Sequence, residues 1–233
     1  MSHLAAFDAA FARCPLIAIL RGVKPDEVEA IGEALVMAGF TLIEVPLNSP
    51  DPLDSIARLV RRVGDRAMLG AGTVLREADV GAVAEIGGTL IISPNANPGV
   101  IAASAARGLV SLPGIATPTE AFAALDAGAT ALKLFPAEGA SPAVLKAMRA
   151  VLPAATRILP VGGIMPDTMQ PWRDAGAPGF GLGSALYQPG FTAAEVGTRA
   201  AAFVSALTRS NRPTTGADGR ENCGSPRRSQ DRG

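Results

Sequence analysis

In "ATALKLFPAEGA" (129–140) an apolar run is interrupted by Lys133, flanked by Leu132 and Leu134. The chain has three lysines, at 24, 133 and 146, against eighteen arginines, so arginine already serves as the surface cation. What a lysine adds is an amine that can lose its proton and attack a carbonyl, which a guanidinium cannot do. At the ordinary pKa of about 10.4, roughly one amine in a few thousand is neutral at pH 7, whereas a site tuned to about 7 to 8 frees roughly a tenth to a half. Strand alternation puts Ala131, Lys133 and Phe135 on one face and Leu132 and Leu134 on the other. Glu44, in "FTLIEVPLNSP" (40–50), shares a face with Leu42, opposite Ile43 and Val45. Two such groups pointing into one interior could be a nucleophile and a proton carrier. They could equally be a structural ion pair, or the lysine could snorkel to water.

Two glycine-rich stretches, "PVGGIMPD" (160–167) and "GLGSALY" (181–187), add an element of different chemistry. Gly162, Gly163, Gly183 and Ser184 would let a phosphate approach backbone N–H groups without a Cβ in the way, or would merely form turns. Arg21 in "LRG" and Thr73 in "GAGTV" suit a carboxylate, or else brace their loops. The sole histidine is His3, so neither a histidine base nor a His-rich metal site can be built. No metal and no cofactor is expected.

These residues need elements to hold them. Apolar runs occur at 16–20, 41–45, 67–71, 89–93, 109–113, 131–135, 157–161 and 179–183, with helix-like stretches between them. Near-continuous apolar strands imply sheets covered on both faces, and the crossover helices imply parallel pairing. Eight units after a short N-terminal helix predict an α/β fold, a closed (β/α)8 TIM barrel, with the reactive groups near the carboxyl ends of the strands. An open, doubly wound sheet is the competing architecture. Residues 1–209 read as one domain, and the polar, Pro/Gly/Arg-rich stretch 210–233 as a disordered tail.

The 21 basic and 21 acidic residues cancel, so no net field favours nucleic acid or an acidic membrane surface, and small-molecule partners are expected. The apolar span from Ile86 to Ala106 is broken by Pro94, Asn95, Asn97 and Pro98, which argues against a membrane crossing. The N-terminal stretch does not read as a secretory signal. Cys14 and Cys223 make no disulfide framework, and a reducing cytoplasm is the expected location.

Taken together, "LIAILRG", "IEVPLNSP", "LGAGTV", "SPN", "LPGIATPTEA", "ALKLFPAE" and "PVGGI" resemble, in order over about residues 14 to 208, the 2-keto-3-deoxy-6-phosphosugar-acid aldolases. The resemblance implies a cofactor-free class I aldolase, a homotrimer of (β/α)8 barrels, that releases pyruvate from a phosphorylated keto acid. In that pattern Lys133 forms the Schiff base and Glu44 shuttles protons. Arg21 and Thr73 hold the pyruvyl carboxylate, Pro94, Pro113 and Phe135 surround the substrate, and Gly162, Gly163, Gly183 and Ser184 take the phosphate. Where gluconate-specific relatives carry an arginine and a threonine, this chain has Asn48 and Val161, a departure toward the galactonate series. A phosphosugar isomerase or epimerase would share the barrel and phosphate site without a covalent amine. The two readings separate on one measurement: borohydride reduction in the presence of pyruvate is expected to leave a permanent mass addition on Lys133, detected by peptide mass spectrometry.

Overall fold

The computed structural model describes residues 2–209, and the expectation for 210–233 falls outside the described residues. The strands are β1 (Leu16–Ile19), β2 (Leu42–Pro46), β3 (Met68–Gly72), β4 (Leu90–Ile92), β5 (Val110–Leu112), β6 (Gly114–Ile115), β7 (Leu132–Leu134), β8 (Ile158–Pro160) and β9 (Phe180–Leu182). The helices are α1 (His3–Arg13), α2 (Val28–Met37), α3 (Pro52–Val63), α4 (Glu77–Glu85), α5 (Pro98–Ala106), α6 (Pro118–Asp126), α7 (Pro142–Val151), α8 (Met169–Asp174) and α9 (Ala193–Arg209). Proline opens α3, α5, α6 and α7, where its missing N–H would have had no helical partner. Gly39, Gly128 and Gly176 follow α2, α6 and α8 with φ of 103°, 98° and 97°, a left-handed stop that a Cβ would oppose.

All strand pairing in the two sheets is parallel, so the helices supply the crossovers. One sheet has the order β5-β4-β3-β2-β1-β9 and the other β6-β7-β8. The architecture is therefore a parallel α/β fold with curled sheets. The fifth expected strand is divided in two at Pro113, which has no N–H to give to a ladder. Its carbonyl still accepts from the Lys133 N–H at 2.9 Å. The run 110–115 thus pairs with β4 through β5 and with β7 through β6. At the other junction a single parallel bridge joins Val161 to Gly181.

Strand parity sorts the apolar side chains. Leu16, Ala18, Ile43, Val45, Leu132 and Leu134 pack with helix residues such as Ile31, Leu35 and Leu59. Ile17, Leu42, Leu90, Ala131 and Leu159 form a second cluster on the inner face, together with Phe7, Ala10 and Phe11 of α1. The strands are apolar on both faces because both faces are covered.

Helix α1 covers the amino ends of the strands. Thr41, just before β2, donates its hydroxyl to the Ala10 carbonyl at 2.7 Å. Arg157, just before β8, pairs with Asp8 at 2.6 Å and lies over the Phe11 ring at 5.1 Å. The opposite, carboxyl ends are left for chemistry. Phe7 is fully buried in the inner cluster, so Phe7→Ala is expected to lower stability by about 3 to 5 kcal/mol in urea unfolding, as truncation of a core aromatic does.

Candidate active site

Parallel strands deliver the residues that follow them to one end of the fold. There a cavity of about 810 Å3 opens. Arg21 after β1, Thr73 after β3 and Pro94 after β4 form one part of its wall, and Lys133 and Phe135 form its inner part. Val161, Gly162, Gly163, Gly183 and Ser184, after β8 and β9, form a further part. Two expected substrate contacts are not on this wall. Asn48 instead accepts a hydrogen bond from Arg21 Nη1 at 2.6 Å, and Pro113 carries the β7 strand through its carbonyl.

Lys133 faces inward because Leu132 and Leu134 occupy the helix-facing cluster while Ala131 lies in the inner one. The same parity turns Glu44 inward on the face of Leu42, while Ile43 and Val45 pack outward. Lys133 is 5% exposed and Glu44 1%. Both border a small internal space of about 10 Å3, floored by Ile17, Ile92, Leu112 and Leu159. Among the described residues no ion pair within 4.0 Å joins them. Glu44 Oε2 is buried and, among the described residues, without a hydrogen-bond partner. The Lys133 ammonium lies over the Phe135 ring, 4.5 Å from its centroid, which gives the cation a partner that does not require a formal counter-charge.

Electrostatics follow from this burial. Desolvation pushes the Glu44 carboxyl up to about 7, against the opposing pull of the Lys133 and Arg21 charges. Desolvation lowers the Lys133 ammonium below its ordinary value; Glu44 opposes the change and Arg21 adds to it. A lysine made easier to deprotonate beside a carboxyl that titrates near neutrality is what amine nucleophilicity with proton transfer requires.

The sequence reading missed several supporting residues. Gly72 pairs with Pro46, one strand over from the Glu44 side chain, and a Cβ there would overlap the Glu44 carboxyl. Thr73, the next residue, has φ of 55°, a strained backbone for a β-branched side chain that costs on the order of 1 to 3 kcal/mol. Its hydroxyl lies 3.5 Å from Arg21 Nη1. Glu138 and Arg199 also line the cavity. Gly72 and Glu138 stand inside the motifs "GAGTV" and "ALKLFPAE"; Arg199 had no local signal, because it reaches the cavity from the last helix, α9.

The family model for KDPG and KHG aldolases matches residues 7–199. The chain belongs to the KDPG and KHG aldolase family. It is an aldolase, hence a lyase, among whose relatives is the probable 2-dehydro-3-deoxy-6-phosphogalactonate aldolase of Rhizobium meliloti (strain 1021). That protein is 49% identical over 192 residues, 82% of this chain and 91% of the relative. The 2-dehydro-3-deoxy-6-phosphogalactonate aldolase of Escherichia coli (strain K12) is 47% identical, over 83% of this chain and 95% of its own. A solved structure described as "Native KDPGal structure" superposes with a TM-score of 0.84 at 46% identity, covering 85% of this chain and 96% of that one.

Burial of Glu44 in this aldolase has a thermodynamic signature. The folded carboxyl binds its proton more tightly than the unfolded one, whose ordinary value is 4.5. Its contribution is therefore neutral below that pH and increasingly destabilising up to about 7, reaching roughly 3 kcal/mol. Glu44→Gln lacks this titration. In urea unfolding, the stability of Glu44→Gln relative to the parent is expected to rise by about that amount between pH 4.5 and pH 8.

Proposed function

We propose that this chain is a class I, Schiff-base aldolase that cleaves 2-dehydro-3-deoxy-6-phospho-D-galactonate to pyruvate and D-glyceraldehyde 3-phosphate. The observation that carries the reading is the burial of Lys133 and Glu44 around one small space at the inner end of the cavity. Between them there is room for about one water molecule.

In the proposed mechanism, neutral Lys133 attacks the C2 carbonyl and Glu44 assists loss of water from the carbinolamine. The protonated imine draws electrons from the C3–C4 bond as Glu44, through water, takes the proton of the C4 hydroxyl. The aldehyde leaves, and the enamine is protonated at C3 and hydrolysed to pyruvate and free Lys133. Arg21, steadied by Asn48, and the Thr73 hydroxyl take the pyruvyl carboxylate. Pro94, Pro113 and Phe135 are assigned to the surroundings of the keto acid, Pro113 acting through the backbone of β7. Gly162, Gly163, Gly183 and Ser184 take the phosphate. Among the described residues no protein acceptor takes the N–H of Gly163 or Ser184, which supports that assignment. Asn48 and Val161 are assigned to the preference for the galactonate series.

We further read the two sheets as one (β/α)8 barrel. The double pairing of 110–115 and the Val161–Gly181 bridge support that closure. A homotrimer in the cytoplasm is the assembly and location proposed with it. Among the described residues no helix is long and apolar enough to cross a membrane.

The test is side-by-side cleavage of the galactonate and gluconate 6-phosphates, with faster turnover of the galactonate expected. Comparable rates would remove the discriminating role of Asn48 and Val161. In the same assay Glu44→Gln is expected to slow cleavage by about 10² to 10⁴-fold, the usual worth of a positioned acid–base group. Lys133→Arg is expected to form no reducible imine, because guanidinium stays protonated.

A further inference from the structure

The cavity carries two charged side chains that the proposed mechanism does not use, Glu138 and Arg199. They sit at its outer part. Glu138, in the 3-10 turn Ala137–Gly139 that follows β7, lies against the glycine pair, since a Cβ on Gly162 or Gly163 would run into its side chain. Arg199, on α9, donates from Nη1 to the carbonyl of Ala185 at 3.2 Å, the residue after Ser184. Its guanidinium also lies over the Phe191 ring, 4.5 Å from the centroid.

Each arrangement limits what else the group can do. Arg199 could have paired with Glu195, four residues earlier on the same helix. That carboxylate accepts from the Thr192 N–H and hydroxyl at 2.7 and 2.8 Å, bonds that with a smaller pull from the Arg199 charge hold it below its ordinary pKa. No salt bridge within 4.0 Å, however, engages Arg199 among the described residues. One of the five guanidinium donors is used on Ala185 and one face on Phe191, so the plane is held while other N–H groups are left to bind an anion. Glu138 likewise has no salt bridge among the described residues, and any anion held by the glycine pair would have its carboxylate as a neighbour.

We infer that Arg199 sets the preference of this chain for a phosphorylated over an unphosphorylated keto acid by pairing with the substrate phosphate, and that Glu138, as a carboxylate facing the same subsite, limits that preference. The inference rests on the aldolase reading above and deepens it. Neither charge borders the small space between Lys133 and Glu44, so on this inference they act on binding of the distal end of the substrate and leave the imine chemistry to Lys133 and Glu44. A phosphate dianion would gain a charge-assisted hydrogen bond from Arg199 and lose affinity to Glu138. A neutral terminal hydroxyl would feel little of either.

The experiment compares kcat and KM for 2-dehydro-3-deoxy-6-phosphogalactonate and its unphosphorylated counterpart in the parent, Arg199→Gln and Glu138→Gln. Arg199→Gln is expected to raise KM for the phosphorylated acid by about 5 to 30-fold, the range of a charge-assisted bond at a solvated site. Its effect on the unphosphorylated acid should be far smaller. Glu138→Gln is expected to shift the phosphorylated-to-unphosphorylated ratio of kcat/KM the opposite way. Inorganic phosphate should inhibit Arg199→Gln more weakly than the parent, while borohydride trapping of pyruvate continues in both variants. If the ratio stays put in either variant, or moves the same way in both, the inference is overturned while the aldolase reading stands. If the parent cleaves neither acid, the aldolase reading fails and this inference with it.

Discussion

The structure depends on placing an amine and a carboxyl where neither can easily be charged. Removing Lys133 and Glu44 from water penalises ammonium and carboxylate alike, and at close range in an apolar interior the two partly restore each other's charge. The outcome is a pair whose protons are loosely committed. A direct ion pair would have removed that property: bound at hydrogen-bond distance, the ammonium would hold its proton and the carboxylate its charge. The absence of such a contact among the described residues, with Oε2 buried and unpartnered, leaves neither group committed to the other.

Holding two desolvated groups apart requires a rigid frame, and the frame is ordinary core packing. Ile17, Ile92, Leu112 and Leu159 floor the space between them, and α1 seals the far end with Phe7 and Phe11. Gly72 leaves the room that the Glu44 carboxyl occupies. Immediately after it the backbone takes a left-handed turn at Thr73, which aims a hydroxyl toward Arg21. Strain of this kind persists only where the surroundings over-determine it, and here it sits between a strand fixed in the sheet and the cavity rim.

What could be read from the residues alone was whatever depends on the local period. The inward direction of Lys133 and Glu44 follows from the two-residue repeat of a strand, and the core clusters sort Leu132, Leu134, Ile43 and Val45 to the other side as that repeat requires. Many of the helices announced themselves by Pro at the start, as in α3, α5, α6 and α7, or by Gly past the end, as after α2, α6 and α8. What could not be read depends on which loops meet. Asn48 follows Glu44 closely in sequence, yet it turns to Arg21, 27 residues away. Arg199 reaches the rim from the last helix through Ala185, and no spacing in the chain encodes that meeting. The break of the fifth strand at Pro113 was in principle visible, since proline cannot donate to a ladder, but its carbonyl keeps the pairing with β7 and so blurs the signal.

The polarity of the cavity changes along its length, and the order is physically constrained. At the inner end each added cation further lowers the affinity of Lys133 for its proton, as Arg21 already does. A rim that recognised phosphate with several lysines or arginines close by would push in the same direction and would also hold Glu44 ionised. Backbone N–H groups on glycines attract an anion through partial charges whose field fades within a short distance, so they bind the distal end of a substrate without resetting the titration of the groups that break its bond. Placing a full charge such as Arg199 on the last helix, exposed to solvent, achieves the same separation by screening. With Lys133 as the proposed nucleophile, Arg21 is, among the described residues, the one cation whose field already reaches it. Recognition of the distal end of the substrate is then best left to backbone N–H groups near the strands and to formal charge at the edge.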